Sequence, residues 1–408
     1  MAAYKIAYDL QARVRSAAPA QPMGVIVRHR PADFVAHAAA ATTDVTVTHE
    51  YRLVSATAMQ LPAAQVDALS QHDSVEYIWP DLPVHTCVDV SVPRIRAPQV
   101  WAAGFRGDGT KIAIVDTGID AQHPDFAGRI KAMTSFTGGD GTDDNGHGTH
   151  VAGIAAGSGA SSNGRYRGVA PAASLYIAKV LDSEGGGSMS SVMAGIEWAV
   201  DQGVQVINLS LGGDAPGDGT DALSTLCDQV IRQLGIAICV AAGNEGPQGS
   251  TIGPPGCARW IITVGAVDDK DGMATFSSRG PTADGRIKPD IVFPGVGIVS
   301  AHASGATVGR VVAPGYAEMS GTSMATPHAT GGVALLLQAM PSLKPEEVRR
   351  ALLRGAVDVN ASPTSQGSGR GDLYAAYQHA TRPVSGQPVN TTSASWLQRL
   401  GHALGGGG

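Results

Sequence analysis

The sequence predicts an α/β fold, a doubly wound parallel sheet with helices on both faces, preceded by a small α+β domain. The first observation is a set of short, mostly apolar runs bounded by Gly or polar turns, as buried parallel strands require. These runs are 111–115, 175–181, 204–211 and 236–242. The second observation is helical spacing over 190–202 and 221–234, which alternates with the runs. Such alternation is typical of a parallel sheet covered on both faces.

Composition restricts the class of protein. A chain of 408 residues with 53 Gly and 5% aromatic residues suits a loop-rich enzyme of more than one domain. The net charge of −6 argues against a nucleic-acid partner. No apolar run reaches the roughly 18 residues of a membrane span, so we expect no membrane partner. Charges interrupt the first ten residues, which therefore do not form a signal peptide. We expect a cytoplasmic protein, or a secreted one from which a signal segment has been removed.

The N-terminal region has a pattern of its own. Residues 1–22 form a lead-in, 23–84 a small α+β domain, 85–384 the main domain and 385–408 a flexible tail. Within the small domain, strands and helices alternate. The predicted strands are 23–28, 51–60 and 75–78, and the predicted helices are 31–41 and 62–69. A late helix begins at Pro345, with Glu346 and Glu347 near its positive end.

Three segments each carry one residue of a chemistry that needs all three. Asp116 lies in Ile-Val-Asp-Thr-Gly, His147 in Asn-Gly-His-Gly-Thr-His, and Ser323 in Gly-Thr-Ser-Met-Ala-Thr-Pro-His. A serine hydroxyl is a poor nucleophile until a histidine takes its proton, and a carboxylate must hold that histidine in one tautomer. Taken singly, Asp116 suggests a turn and Ser323 a helix cap. Together they predict an orienting carboxylate, a base and a nucleophile.

These segments resemble the subtilisin-like serine proteases, from about residue 92 to about residue 380. The order Asp, His, Ser is that of subtilisin itself. The segments 161–171, 276–281 and 288–291 bring the chain closer to a bacterial branch of alkaline, often intracellular, members. The resemblance makes Asn244, in Ala-Ala-Gly-Asn-Glu-Gly, the second oxyanion donor beside the Ser323 N–H. Alone, Asn244 would suggest a left-handed turn.

Substrate-binding residues follow from the same resemblance. It implies two walls and a floor for the S1 pocket, an edge strand that pairs with extended substrate, and an S4 pocket. The walls are Ser210, Leu211, Gly212 and Ala241, Ala242, Gly243; the floor is Gly253; the edge strand is Gly185, Gly186, Gly187; S4 is lined by Met189 and Leu181. A plain flexible loop is the alternative for the three glycines. A small floor and apolar walls favour large apolar P1 residues within a broad specificity.

The resemblance also implies structural Ca²⁺, although the chemistry requires no cofactor. Asp125 matches a family calcium ligand, and Asp268, with carbonyls near Gly256, Ala258 and Ile261, resembles a second site. Asp140, Asp143 and Asp144 are interpreted as solvated loop carboxylates. His150, inside the His147 helix, is interpreted as a hydrogen-bonded structural residue.

The four cysteines contain no Cys-x-x-Cys pair, which disfavours a zinc site. Cys239 lies in an apolar run and is expected to be a buried thiol. Cys227 and Cys257 could form a bridge, although free thiols are favoured in a protein that is not secreted.

The resemblance makes 23–84 a propeptide that inhibits the enzyme intramolecularly, cut by the enzyme itself between 82 and 88. We therefore expect a monomeric zymogen of a serine endopeptidase that acts on proteins and peptides. Two other classes stay open: an esterase, and a non-catalytic binding module. The Ser323 motif is not Gly-x-Ser-x-Gly, which disfavours an esterase of the α/β-hydrolase type.

Overall fold

The computed structural model describes residues 5–30, 45–51, 55–80, 88–213 and 215–381. The chain divides into two compact units, Met1–His85 and Thr86–Gly408. Each unit has its own sheet and its own apolar core. No helix within the described ranges is long and apolar enough to cross a membrane.

In its described residues, the first unit has a four-stranded antiparallel sheet and two helices. The strands are β1 Pro22–His29, β2 Thr46–Tyr51, β3 Ala56–Pro62 and β4 Val75–Pro80, in the order β2-β3-β1-β4, and the helices are α1 Tyr8–Ser16 and α2 Ala63–Ser70. Val25 pairs with Met59 across β1 and β3, and both side chains enter the core with Leu10 of α1. The lead-in therefore contributes to this core. The strand predicted at 51–60 is two strands, and the helix predicted at 31–41 lies outside the described residues.

The second unit contains seven parallel strands. They are β5 Lys111–Asp116, β6 Ile130–Ser135, β7 Ser174–Lys179, β8 Val206–Leu209, β9 Ala237–Ala241, β10 Ile262–Val267 and β11 Ile291–Pro294. Their order is β11-β10-β9-β8-β5-β7-β6, and every pairing is parallel. From β5 the chain crosses to the edge strand β6, returns to β7 beside β5, and then runs outward from β8 to β11 on the other side. Ligands bind in open α/β sheets at the carboxyl ends of the strands where the order reverses, here around β5.

Helices cover this sheet on both faces. They are α3 Val88–Arg94, α4 Ala97–Ala102, α5 His147–Ala156, α6 Met189–Asp201, α7 Ala222–Gln229, α8 Thr322–Ala339, α9 Pro345–Gly355, α10 Pro363–Gln366 and α11 Leu373–Thr381. Alternate β5 side chains point to opposite faces. Ile112 and Ile114 pack with α5 and α8, whereas Val115 packs with α6 and α7. The predicted doubly wound parallel sheet is confirmed.

The helix and strand limits differ from the predicted ones in a few places. The helix predicted at 221–234 changes after Gln229 to a wider π-type turn over Val230–Leu234. The sequence did not predict β6, β10 or β11. It also missed a three-stranded antiparallel sheet of β12 Ile298–Ala301, β13 Arg310–Ala313 and β14 Tyr316–Met319.

Candidate active site

Four elements bring the predicted catalytic residues to one edge of the parallel sheet. Asp116 ends β5, and Ser210 follows β8, the neighbouring strand. His147 is the first residue of α5, and Ser323 is the second residue of α8. The positive ends of both helices therefore face the carboxyl ends of the central strands.

Asp116 and His147 form a direct hydrogen bond. His147 Nδ1 lies 2.7 Å from Asp116 Oδ1, which also accepts the main-chain N–H of Thr117 at 2.8 Å. Two glycines permit this approach. A Cβ on Gly148 would lie 2.2 Å from the Gly118 carbonyl oxygen, so the start of α5 and the turn after β5 are in backbone contact. The bond fixes the imidazole with Nδ1 as the donor and leaves Nε2 free to accept a proton.

The environment of His147 raises its pKa. Burial acts in the opposite direction, but the charge and hydrogen bond of Asp116, with the charge of Asp143, outweigh it. The Asp116 side chain is 0% exposed and that of His147 is 20% exposed. The imidazole is thus more basic than a free histidine while one edge remains open to solvent or substrate.

Ser323 and Ser210 are joined by two reciprocal hydrogen bonds. The Ser323 hydroxyl donates to the Ser210 carbonyl at 3.0 Å, and the Ser210 hydroxyl donates to the Ser323 carbonyl at 2.9 Å. The Ser323 carbonyl is free because its helical partner four residues on is Pro327, which has no N–H. Within the described ranges no hydrogen bond joins Ser323 to His147.

Asn244 is oriented by the residue before Ser323. Its Oδ1 accepts both the main-chain N–H and the hydroxyl of Thr322, each at 3.0 Å. A Cβ on Gly321 would lie 3.6 Å from Ser323 N and 3.7 Å from Asn244 Nδ2, so these two donors border one small space. Ser323 N is one of the first N–H groups of α8, which have no acceptor within the helix. Both N–H donors are therefore available to one anionic oxygen.

A cavity of about 620 Å³ adjoins His147. Of the predicted substrate residues it is lined by Leu181, Gly185, Gly186, Gly187, Met189, Ser210, Leu211 and Gly212. Val192, Leu223 and Pro254 add apolar surface. The predicted residues Ala241, Ala242, Gly243 and Gly253 are not among its lining. Gly253 lies behind it, where a Cβ would be 2.0 Å from the Gly213 carbonyl oxygen.

The triple-glycine segment is an organised turn rather than a plain flexible loop. Asp182 Oδ1 accepts the N–H of Gly186 at 2.9 Å and that of Glu184 at 3.0 Å. Asp182 N in turn donates to the Gly186 carbonyl at 2.8 Å. Gly187 follows outside any helix or strand and lines the cavity.

The residues around Asp125 do not fit a calcium ion. Both carboxylate oxygens accept the Tyr316 hydroxyl, at 3.0 and 2.9 Å, and Oδ1 also accepts Ser161 N at 3.1 Å. The nearby carbonyls of Asp125, Ala156 and Ala173 accept the Arg129 guanidinium. Calcium requires roughly six to eight oxygen ligands. Here the Asp125 carboxylate and the three nearby carbonyls already accept hydrogen bonds from protein donors, one of which is the Arg129 cation.

The second predicted metal site has protein partners of its own. Asp268 Oδ1 accepts the N–H groups of Lys270 and Gly272 within its own turn. Of the predicted carbonyl ligands, that of Gly256 accepts the Thr263 hydroxyl at 2.7 Å, and that of Ile261 lies 3.4 Å from Lys288 Nζ. These groups do not fit a cation site either. No cluster of three or more His, Cys, Asp or Glu suited to a metal occurs in the part of the chain that the structure describes.

Lys288 belongs to a buried charge cluster. Its ammonium lies 2.7 Å from Asp290 Oδ2, and both side chains are 3% exposed. Arg349 donates to Asp290 Oδ1, and Thr263 N donates to Oδ2 at 2.8 Å. Burial lowers the pKa of Lys288, whereas Lys288 and Arg349 lower that of Asp290. The cluster joins β10, β11 and α9 to the Ile261 carbonyl.

The structure corrects one interpretation and supports two others. Asp143 is not a solvated loop carboxylate, because it is 4% exposed and accepts five hydrogen bonds. Asp140 and Asp144 are exposed, as expected. His150 is buried, and its Nε2 lies 3.0 Å from the carbonyls of both Ile298 and Ala317, as expected of a structural histidine.

The sequence reasoning also missed Lys179. Its buried ammonium donates to the Thr117 carbonyl at 2.7 Å and to Asp144 Oδ1 at 2.6 Å. It therefore connects the turn after Asp116 with the loop before His147. The position of Lys179 at the end of β7 was the available signal, because strand ends at this edge of the sheet carry functional side chains.

The described cysteines are buried thiols. Cys227, Cys239 and Cys257 form no disulfide, and burial raises the pKa of each. A raised pKa leaves little thiolate, so these thiols are unreactive. Cys87 lies outside the described residues.

Comparison with known proteins gives two family matches. The Subtilase family matches residues 107–369, and the family Peptidase inhibitor I9 matches residues 26–87. The inhibitor-like propeptide expected at the N-terminus is thereby confirmed as a domain type.

Curated relatives agree with the subtilase match. Serine protease AprX of Bacillus subtilis is 40% identical over 320 residues, which cover 72% of this chain and 72% of the relative. Subtilisin DY of Bacillus licheniformis is 40% identical over 67% of this chain and 93% of its own. Subtilisin E of Bacillus subtilis is 38% identical over 75% of this chain and 76% of its own. The chain belongs to the subtilase family of serine-type endopeptidases and carries an inhibitor I9 propeptide domain.

Proposed function

We propose that Asp116, His147 and Ser323 form the catalytic triad of this serine endopeptidase, with Asn244 as an oxyanion donor. The observation that carries the proposal is the 2.7 Å bond from His147 Nδ1 to buried Asp116. It leaves Nε2 as the base, on the side of the cavity that Ser210 also lines. Ser323 is held by Ser210, at the positive end of α8.

Each residue has one task in the reaction. After χ1 rotation, Ser323 Oγ attacks the scissile carbonyl while His147 Nε2 takes its proton. The N–H of Ser323 and the amide of Asn244 donate to the oxyanion, and Asp116 stabilises the imidazolium. His147 then protonates the leaving amine. Water then takes the place of the amine: His147 takes a proton from the water as it attacks the acyl-enzyme and returns a proton to Ser323 Oγ as the acyl group leaves.

Substrate lies along the cavity with its main chain beside Gly187. The apolar side chains of Leu181, Met189, Val192 and Leu223 supply non-directional contacts, which fit large apolar residues and give a broad specificity. Ser210–Gly212 line the P1 side. Ala241, Ala242, Gly243 and Gly253 form the wall and floor behind that lining.

The chain is a zymogen that processes itself. The supporting observation is the inhibitor I9 match at 26–87, directly before the protease domain. Cleavage between 82 and 88 breaks the covalent link to the N-terminal unit, which acts on the same monomer as an intramolecular inhibitor. These residues lie largely outside those that the structure describes.

The first experiment is intact mass and N-terminal sequencing of wild type and Ser323→Ala after incubation. A new N-terminus between 82 and 88 in wild type alone supports both the triad and self-processing. An uncut wild type that digests casein contradicts self-processing. An uncut wild type without casein activity contradicts the triad and favours a non-catalytic binding module.

Matched peptide and ester substrates test the remaining alternative. A cavity for extended chain predicts that kcat/KM increases as a peptide is lengthened on its acyl side. Ester hydrolysis without peptide hydrolysis would favour the esterase alternative. Light scattering of the purified chain tests whether it is a monomer.

A further inference from the structure

Asp143 is a buried carboxylate directly before the catalytic helix. Its Oδ1 accepts the Thr117 hydroxyl at 2.8 Å and the N–H groups of Asn145 and Gly146 at 3.1 and 2.8 Å. Its Oδ2 accepts the N–H and the hydroxyl of Thr149 at 2.8 and 2.6 Å. Three of these donors are main-chain N–H groups, two directly before α5 and one in its first turn. Asp143 therefore fixes the loop and the first helical turn together.

Thr117 extends this network to the catalytic carboxylate. Its hydroxyl donates to Asp143 and accepts Gly148 N at 2.8 Å, while its own N–H donates to Asp116 Oδ1 at 2.8 Å. Gly148 is the residue directly after His147. Asp143 thus holds the two segments that present Asp116 and His147 to each other.

The charge of Asp143 also acts on His147. It raises the pKa of His147, although Asp116 contributes more. The other charged or titratable groups around this helix start include His150 on α5, Lys179 on β7, Asp144, which Lys179 pairs, and Asp120, whose N–H donates to Thr149 Oγ1 at 2.9 Å. Burial lowers the pKa of His150 to about 3, so that side chain is neutral. Asp143 keeps its own charge, because its hydrogen bonds outweigh burial and lower its pKa.

We propose that Asp143 is a positioning residue for the catalytic base: it locks the His147 imidazole against Asp116, and its charge stabilises the imidazolium formed during the reaction. The proposal rests on the proposed triad. A mispositioned base lowers kcat and leaves substrate binding unchanged, because displacement of a reacting group by about 1 Å can reduce the rate about 10²-fold.

The test is Asp143→Asn, with Asp140→Asn as the matched control. Asp140 is exposed, and its carboxylate accepts Thr142 N in its own turn. We expect kcat of Asp143→Asn to fall about 10- to 100-fold with KM nearly unchanged. The acid limb of its kcat/KM profile moves to lower pH, because the lost anion no longer favours protonated His147. Asp140→Asn retains the wild-type limb.

A second readout does not depend on activity. The His147 imidazole is titrated by NMR in Ser323→Ala, with and without Asp143→Asn. A lower His147 pKa in the double variant supports the action of the Asp143 charge on this imidazole, and it is measured separately from any failure of the triad assignment. An unchanged pKa together with unchanged kcat in folded Asp143→Asn overturns it.

If Asp143→Asn does not fold, Thr149→Val replaces it. This change removes the hydroxyl that donates to Oδ2 and that also accepts Asp120 N at 2.9 Å, and it keeps the carboxylate. We expect a severalfold lower kcat and an unchanged KM. Wild-type kcat in folded Thr149→Val overturns the positioning role.

Discussion

The Ser323 hydroxyl donates to the Ser210 carbonyl, and the Ser210 hydroxyl donates back to the Ser323 carbonyl, at 3.0 and 2.9 Å. The second bond exists because Pro327 leaves the Ser323 carbonyl without a helical donor. Pro327, the sixth residue of α8, thereby leads to a link between the start of this helix and the strand end at Ser210. The Ser323 hydroxyl donates to the Ser210 carbonyl, so in this arrangement its proton is not directed at His147.

Ser323→Ala is expected to abolish casein hydrolysis while the protein remains folded. The change removes one side-chain hydrogen bond, which contributes about 1 kcal/mol to stability. Casein release and thermal unfolding measure the two effects. Ser342→Ala, at an exposed site, is the control and keeps full activity. Hydrolysis of casein by purified Ser323→Ala would contradict the assignment.

Ser210→Ala is expected to lower the free energy of unfolding by about 1–2 kcal/mol, because the Ser323 carbonyl then lacks a donor. The measurement is urea denaturation in the Ser323→Ala background, where self-digestion is absent. An unchanged urea midpoint would show that the Ser210 hydroxyl does not support the first turn of α8.

Asn244→Ala is expected to reduce kcat by about 10²–10³, the loss found for the corresponding donor in subtilisin. KM should change little, because the donor acts on the oxyanion and not on bound substrate. Gln248→Ala, an exposed position of the same loop, is the control. A loss confined to KM would assign Asn244 to substrate binding instead.

The pH profile of kcat/KM is expected to rise through a pKa above about 6.5, the value of a free imidazole. The pKa of His147 is raised, so its base form appears at higher pH than in a free histidine. The pKa of His147 is higher in the folded protein than in the unfolded chain, so protonation of His147 favours the folded state. This contribution to the free energy of unfolding is complete below the pKa of the unfolded chain and is lost as the pH rises through the pKa of the folded protein. Peptide hydrolysis between pH 5 and 10 gives the limb; an inflection below 6 would contradict the expectation.

Chelation is expected to leave the melting temperature of Ser323→Ala unchanged, because protein donors use the oxygens at both predicted calcium positions.

Lys288→Met should destabilise the protein strongly, since removal of one partner of a buried ion pair costs about 3–5 kcal/mol. Lys131→Met, at an exposed site, is the control. Calorimetry measures the melting temperature of each variant, and for Ser323→Ala it is repeated with EDTA and with added calcium. A lower melting temperature in EDTA would reveal a metal site elsewhere.

The sequence predicted the parts of the molecule that local pattern determines. Apolar runs located β5, β7, β8 and β9, and the motifs named the residues that meet at their ends. The sequence did not predict the role of a residue where that role depends on a partner far away along the chain. Asp143 and Asp140 occur in the same acidic segment, and only Thr117 and Thr149 make one of them a buried anchor. Asp125 is paired by Tyr316, 191 residues away, which no local pattern reveals.

The Lys288–Asp290 pair has a consequence for how stability responds to the surroundings. The contribution of a dissociable ligand follows its free concentration and disappears on dilution. An ammonium carried by the chain is present at one equivalent per molecule and no dilution removes it, although its charge is lost at alkaline pH, because burial lowers the pKa of Lys288 to about 8. The stability that this pair contributes to the sheet is therefore a property of the chain itself and does not depend on the free concentration of a bound ligand.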